Sequence, residues 1–454
     1  MEKFKTAVAA LLILLMLFSA GVFIGGSQFS DGGAAVSRIS LPAGAVKAGE
    51  EPPALTALYE RGLLMAEFAA VSYNGEGGGA FGSAVPESVF TMAMPLIHEA
   101  LSRGATLVET TRPALEAAAG GNFLCLRLPA ALPYQMIYAL TGEIGQAATA
   151  ETAVSASLLL LAFDAEGEGT LYLSDGEVCF MSDAALSVRP AALALLAGDD
   201  ALSDFRFADN LLPISDAPAF AFPLSVSDGA TQPLAAGIGD DLLYLFGFNP
   251  DRGDALSAAV VEPHGSLSID RVGIRFAASR DGGLSAAKFI DSGKDEFDIG
   301  IYDLLSAAVG LLDRVRALDP ASFGGDASLF LKGFYKENDG YTLVFGVAVG
   351  GVEITGDNVP YFARFSARGG VFTAIEVRRL RVTRGALGRT LFSSAWQYAH
   401  ASRYAGEGGL HTLRLLYRVD ALPAEECVAS WYCDRVQSDA ARAAFAAENG
   451  VSVK

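Results

Sequence analysis

With 454 residues, 51% of them hydrophobic and 10% aromatic, the chain is long enough for more than one ordinary core and too apolar to be disordered. Its net charge of −19 argues against nucleic acid, or an acidic membrane surface, as the main partner. Four cysteines are too few for a disulfide scaffold; buried free thiols are expected for all of them, with a Cys125–Cys179 pair as the alternative.

Residues 1–26 read as a transmembrane signal anchor. Lys3 and Lys5 precede an apolar run from Ala7 to Ile24 that only Ser19 and Gly21 interrupt. A membrane-spanning helix needs roughly 17–25 such residues. The lysines stay in the cytoplasm, which places the bulk outside a cell membrane crossed once, where ATP, NAD and reduced thiols are scarce. A cleavable signal peptide is the rival reading, because Ser19-Ala20-Gly21 and Gly25-Gly26-Ser27 offer small residues at a cleavage site. Gly21 and Gly25 form a G-x-x-x-G that allows close approach of another transmembrane helix; helix-end glycines leading into a loop have the same pattern.

Residues 27–59 form a tether, and 60–233 an extracytoplasmic α+β domain. Its glycine-rich stretch from Asn74 lacks the Lys-Ser/Thr of a phosphate-binding loop and reads as a flexible loop. Helical spacing covers Val89–Arg103, and Asn122–Leu128 alternates, with Leu124, Leu126 and Leu128 on one face. A short helix follows Pro133, then strands over 157–163, 170–173 and 177–181 and a helix over 184–196. Four prolines between Leu211 and Pro233 mark the exit from this domain.

The remainder reads as a degenerate duplication, with units at 234–356 and 357–440 and a tail at 441–454. The first has a long strand over 265–279, a helix over 301–318, and a hairpin turning at Asn338-Asp339-Gly340. The second has a hairpin turning at Gly369-Gly370, a helix over 387–404, and strands over 410–419 and 427–436. The expected fold class is therefore α+β: an N-terminal transmembrane helix, an α+β domain, then two tandem units of helix packed on antiparallel sheet.

Catalytic and cofactor patterns are scarce. The four histidines (98, 264, 400, 411) have no metal-ligand spacing, and there is no G-x-S-x-G elbow. Ser285 to Lys288 is an isolated S-x-x-K without the companion motifs. Arg252-Gly253-Asp254 reads as a plain turn, and Asp291, Asp295, Glu296 and Asp298 lack the spacing and glycine of an EF-hand. No cofactor or metal site is expected, and the chain is read as non-enzymatic.

Charge is uneven along the chain. Between Pro360 and Asp420 lie ten arginines, no lysine and three carboxylates, a window of +7 that leaves −26 for the rest. Arginine without lysine suits bidentate contacts to carboxylates. The window either docks on the chain's own acidic parts or binds a partner. Arg378, Arg379, Arg381 and Arg384 are its interaction candidates. Trp431 and Tyr432, with Trp396 and Tyr398, form either core or an aromatic contact patch.

The layout resembles the YycH/YycI family of Gram-positive bacteria. The resemblance is carried by the anchor with Lys3 and Lys5, by Leu329-Phe-Leu-Lys-Gly-Phe334 before Tyr341-Thr-Leu-Val-Phe345, and by Leu413-Arg-Leu-Leu-Tyr417 before Ala429-Ser-Trp431-Tyr432. It implies a two-component-system regulatory protein, acting in cell-wall homeostasis and signal transduction by protein–protein interaction. Its partner would be a sensor histidine kinase of the WalK type, met through the transmembrane helix and extracytoplasmic contacts. A sister regulator or a second copy is a further implied partner. The alternative is an exported binding module for peptide or cell-wall fragments.

Overall fold

The computed structural model describes residues 62–433, apart from 143–145, 151–152, 230–233, 235, 253–258, 291–298, 338–339, 404–409 and 411. The anchor with Gly21 and Gly25, the tether, the tail, Gly253 and Asp254, and the acidic loop 291–298 lie outside the described residues. No described helix is long and apolar enough to cross a membrane.

The chain enters along a buried segment, Leu63–Glu67, and forms a hairpin of β1 (Phe68–Tyr73) and β2 (Glu76–Phe81). It turns at Asn74-Gly75, both at positive φ (52° and 80°), as a two-residue hairpin turn requires. The expected flexible glycine loop is thus a paired strand. Its glycines are needed for close approach. A Cβ on Gly79 would lie 2.5 Å from the Phe68 ring, and one on Gly78 2.9 Å from the Leu202 backbone.

Helix α1 (Glu87–Ala100) follows where periodicity predicts it, burying Val89, Ala93, Leu96, Ile97 and Ala100. Next come β3 (Thr106–Thr110), α2 (Arg112–Ala118), β4 (Asn122–Pro133), α3 (Tyr134–Thr141) and β5 (Thr149–Ala150). Strands β6 (Ser155–Phe163), β7 (Glu168–Ser174), β8 (Cys179–Ser182) and β9 (Leu186–Ser187) complete a nine-stranded sheet. Its order is β2-β1-β4-β6-β7-β8-β3-β5, with β9 beside β7. Alternation on β4 serves both faces. Leu124, Leu126 and Leu128 join the main core with α1 and α3, while Phe123 and Cys125 join Phe68, Leu160 and Leu115 of α2 in a second layer.

The helix expected over 184–196 is confined to α4 (Pro190–Ala197). Proline suits the first helical position but drives the residue before it into an extended conformation, as at Arg189 (ψ 122°). The proline-rich stretch expected to mark the exit from the first domain holds strands. Here β10 (Phe205–Ala208) pairs with β11 (Leu212–Ser215), and β12 (Pro218–Ala221) and β13 (Leu224–Asp228) pair with later strands. Pro218 is tolerated because it opens its strand.

Helix α5 (Ile238–Leu245) leads to β14 (Val260–Glu262), β15 (Gly265–Ile269), β16 (Gly273–Ala278) and β17 (Leu284–Ser285). The long strand expected over 265–279 is a hairpin, because Asp270 Oδ1 accepts from Val272 N (2.7 Å) and Gly273 N (3.0 Å) and folds the chain. Helix α6 (Ile301–Leu318) matches its prediction. Burial of Leu304, Leu305, Val309, Leu311, Leu312 and Val315 fastens it, at roughly 1.5–3 kcal/mol per side chain. Strands β18 (Ser328–Glu337), β19 (Gly340–Val349), β20 (Val352–Thr355), β21 (Ala363–Arg368) and β22 (Val371–Arg378) follow.

The last described elements are β23 (Leu380–Arg384), β24 (Arg389–Ser393), α7 (Ser394–Ala401), β25 (Leu413–Arg418), β26 (Ala424–Cys427) and β27 (Ser430–Cys433). The helix expected over 387–404 is shortened to α7. Its first part pairs with β12 as a strand, and Ser393 Oγ caps the helix by accepting from Trp396 N. The strand expected over 427–436 also divides: β26 pairs with β13, and β27 with β25.

Strands from both expected helix-on-sheet units knit into one eleven-stranded sheet, ordered β14-β15-β16-β22-β21-β19-β20-β25-β27 with β17 on β22 and β18 on β19. The pairings β16–β22 and β19–β21 cross the expected boundary near 356, so the two expected units share a single sheet. The architecture is α+β, with seven α-helices among the described residues, and the main core runs without a break from Leu63 to Trp431.

Candidate functional site

The entry segment lies between the two large sheets. Leu331 N of β18 donates to Leu63 O (2.9 Å), and Met65 packs on Phe330 and Ala348. On the other side Glu67 N donates to Arg127 O of β4 (2.8 Å), and Gly82 N donates to Glu67 O (3.0 Å). Close approach depends on glycine: a Cβ on Gly82 would lie 2.8 Å from Val352 Cγ2, and one on Gly351 2.8 Å from the Gly82 backbone. This path delivers the Glu67 carboxylate to the boundary between the sheets.

Five charged groups meet there. Arg414 of β25 places Nε 2.6 Å from Glu67 Oε2 and Nη2 2.7 Å from Glu353 Oε2 of β20. Arg127 Nε lies 3.3 Å from Glu67 Oε1. Lys332 Nζ of β18 lies 2.6 Å from Glu353 Oε1 and donates to Thr355 Oγ1 (3.2 Å) and Pro360 O (2.8 Å). The two carboxylates are the most buried members, Glu353 with a side-chain exposure of only 2%. Desolvation works against the Arg414 charge, but Glu67 and Glu353 outweigh it and hold the guanidinium above its ordinary value. Three cations face two carboxylates, so the cluster carries +1 inside a chain of −19.

The cluster opens onto a cavity of about 780 Å³ lined by both sheets. Its wall on the first sheet is the arch Leu128–Ala131. The β4–β6 ladder is interrupted between Arg127↔Leu158 and Leu132↔Ala156, and β1 pairs with β4 only as far as Arg127. The turn around Asp175 closes another side, and Arg418 and Tyr432 stand at the rim of the second sheet. The guanidinium of Arg418 lies 6.0 Å above the Tyr432 ring and is bound to Asp420 (2.7 Å).

The interaction candidates singled out from the sequence lie elsewhere. Arg378 donates to Asn358 O (2.6 Å) and covers Tyr361, while Arg379 is buried, and burial lowers its pKa against the pull of Asp319, Asp228 and Asp270. Arg381 stands opposite Ser227 in the β13–β23 ladder, and Arg384 covers the Phe222 ring at 4.6 Å. Trp431 is buried, donates from Nε1 to Phe392 O (2.8 Å), and meets Phe81 edge-on at 5.2 Å. Trp396 instead stacks on Phe392 at the surface (4.4 Å). Most of these arginines therefore engage the chain's own groups. Arg414 belongs to the same window and does reach the cavity, whereas Glu67, Glu353 and Lys332 were not singled out. Nothing local marks them, because Arg414 stands 347 positions from Glu67 and 61 from Glu353.

Among the described residues no group of three or more His, Cys, Asp or Glu is placed to hold a metal ion. His98 stacks on Tyr138 (4.3 Å), and His264 Nε2 lies 3.2 Å from Phe246 O. All four cysteines are buried free thiols. Comparison with protein-family models, with curated proteins and with solved structures gives no match.

Proposed function

We propose that this chain is a membrane-anchored, non-catalytic extracytoplasmic regulator of a two-component sensor histidine kinase, with the cavity between its sheets as the place where it takes a ligand. The observation that carries this reading is the five-charge cluster. It draws on both sheets and on the segment by which the chain enters its body, and it borders a cavity. Occupancy there acts on both sheets together. The resemblance to the YycH/YycI family and the anchor read over 1–26 supply the membrane partner. A kinase poised between two states needs only a few kcal/mol of differential contact to be biased.

The cavity is also what a stand-alone exported binding module for peptide or cell-wall fragments requires. The two readings separate in the source cell's own membranes, by measuring phosphorylated response regulators with the native chain, an anchor-swapped chain and a Glu353→Gln chain. The regulatory reading expects both variants to change the phosphorylation of the same pathway. Unchanged phosphorylation in every pathway would overturn it.

A further inference from the structure

The cluster bordering the cavity has an uneven supply of partners. Arg414 uses Nε on Glu67 and Nη2 on Glu353, and Arg127 uses Nε on Glu67 and Nη1 on Leu211 O (3.4 Å). Each guanidinium thus keeps one terminal nitrogen outside these contacts, and both residues line the cavity. Glu67 is the internal carboxylate that two arginines share, and it too lines the cavity.

We infer that the cavity is a carboxylate-binding site in which a ligand's terminal carboxylate joins, or replaces, Glu67 between Arg127 and Arg414. This deepens the proposed function and rests on its reading of the cavity as a ligand site, not on the kinase. The planar fork of arginine matches a carboxylate in two parallel hydrogen bonds, and the net +1 of the cluster favours an added anion. An internal carboxylate already occupies the position, so the geometry is set for that group. The ligand that fits is a short peptide with a free C-terminus. The volume of about 780 Å³ exceeds what a small acid needs, and pockets of roughly 300–1,000 Å³ hold drug-sized ligands. The arch Leu128–Ala131 lines the cavity and is left without a ladder partner on either neighbouring strand, the condition under which an extended peptide adds to a strand.

Ligand binding also reports on the entry segment, since a carboxylate that displaces Glu67 releases the side chain fixing Leu63–Glu67 to both sheets. The test is calorimetric titration of the full-length protein in detergent with trialanine, trialanine amide and succinate. Trialanine is expected to bind, and the amide to bind at least about tenfold more weakly because it loses the charge-assisted pairing. Glu67→Gln raises the cluster from +1 to +2 and is expected to tighten trialanine binding several-fold, whereas Arg127→Met weakens it. Equal binding of acid and amide, or no binding of either by the wild-type chain, would overturn the inference without the use of any variant. Succinate binding as tightly as trialanine would refute the peptide and assign the site to a small organic acid. None of these outcomes depends on a kinase, so failure here is distinct from failure of the regulatory reading.

Discussion

Replacing Arg414 by methionine tests whether the ion cluster holds the two sheets together. The Arg414 side chain is 17% exposed, and those of its partners Glu67 and Glu353 are 10% and 2% exposed. Methionine keeps much of the volume but leaves two buried carboxylates with only Arg127 and Lys332 beside them. Removing one partner of a buried ion pair costs about 3–5 kcal/mol, and the cations that remain place the expected loss near 3 kcal/mol. Urea unfolding of the full-length protein in detergent, followed by tryptophan fluorescence, reads this as a lower midpoint. Glu353→Gln alone also destabilises, yet the double variant is expected to lose less than the two single losses added together, because each removes the other's unpaired charge. A loss under about 1 kcal/mol, the range of solvent-exposed pairs, would show that the cluster does not hold the sheets together. So would strict additivity.

Gly79→Ala brings a Cβ against the Phe68 ring at 2.5 Å; the expected cost is about 1–3 kcal/mol by the same unfolding assay, and a neutral result would contradict the close packing. Trp431→Ala removes a buried ring and its hydrogen bond to Phe392 O, an expected loss of about 3–5 kcal/mol, with Trp431→Phe losing less. With Trp396→Phe, emission from the remaining Trp431 is expected to shift to the blue, since Trp396 is 37% exposed and Trp431 4%. Burial raises the Cys125 thiol from its ordinary 9.0 to about 12, and burial followed by the Asp420 charge raises that of Cys427 to about 11. In the unfolded chain both ionise near 9.0, so the folded state binds more protons above that pH. These thiols therefore lower stability as pH rises from about 9 to 12, and in the native state at pH 8 they resist alkylation. Rapid native alkylation of Cys125 would sink this prediction.

Periodicity revealed elements held by their own pattern. Helix α6 carries apolar residues on nearly every side, and the Gly369-Gly370 turn has both residues at positive φ (54° and 79°). Expectations failed where a single side chain or a distant strand decided the outcome. Asp270 folds one long alternating run into a hairpin, Pro190 delays a helix, and pairing with β12 turns Arg389–Ser393 into a strand. The glycines of β2 read as a loop because their reason, the Phe68 ring and the Leu202 backbone, is not adjacent in sequence. The cavity was illegible for the same cause. Arg414 is one arginine among ten in its window, and only the fold brings Glu67 and Glu353 to it. The arginine excess itself was legible, and its pairing with the chain's own carboxylates recurs at Arg389–Glu426 and Arg418–Asp420.

Whether this chain regulates a membrane partner is decided by crosslinking the full-length protein in its own membranes and identifying what co-purifies by mass spectrometry. A sensor histidine kinase is expected to be recovered with the native anchor and lost when residues 1–26 are replaced by an unrelated membrane helix. Recovery of no membrane partner, with the mature N-terminus found cleaved near Gly21 or Ser27, would contradict the regulatory reading.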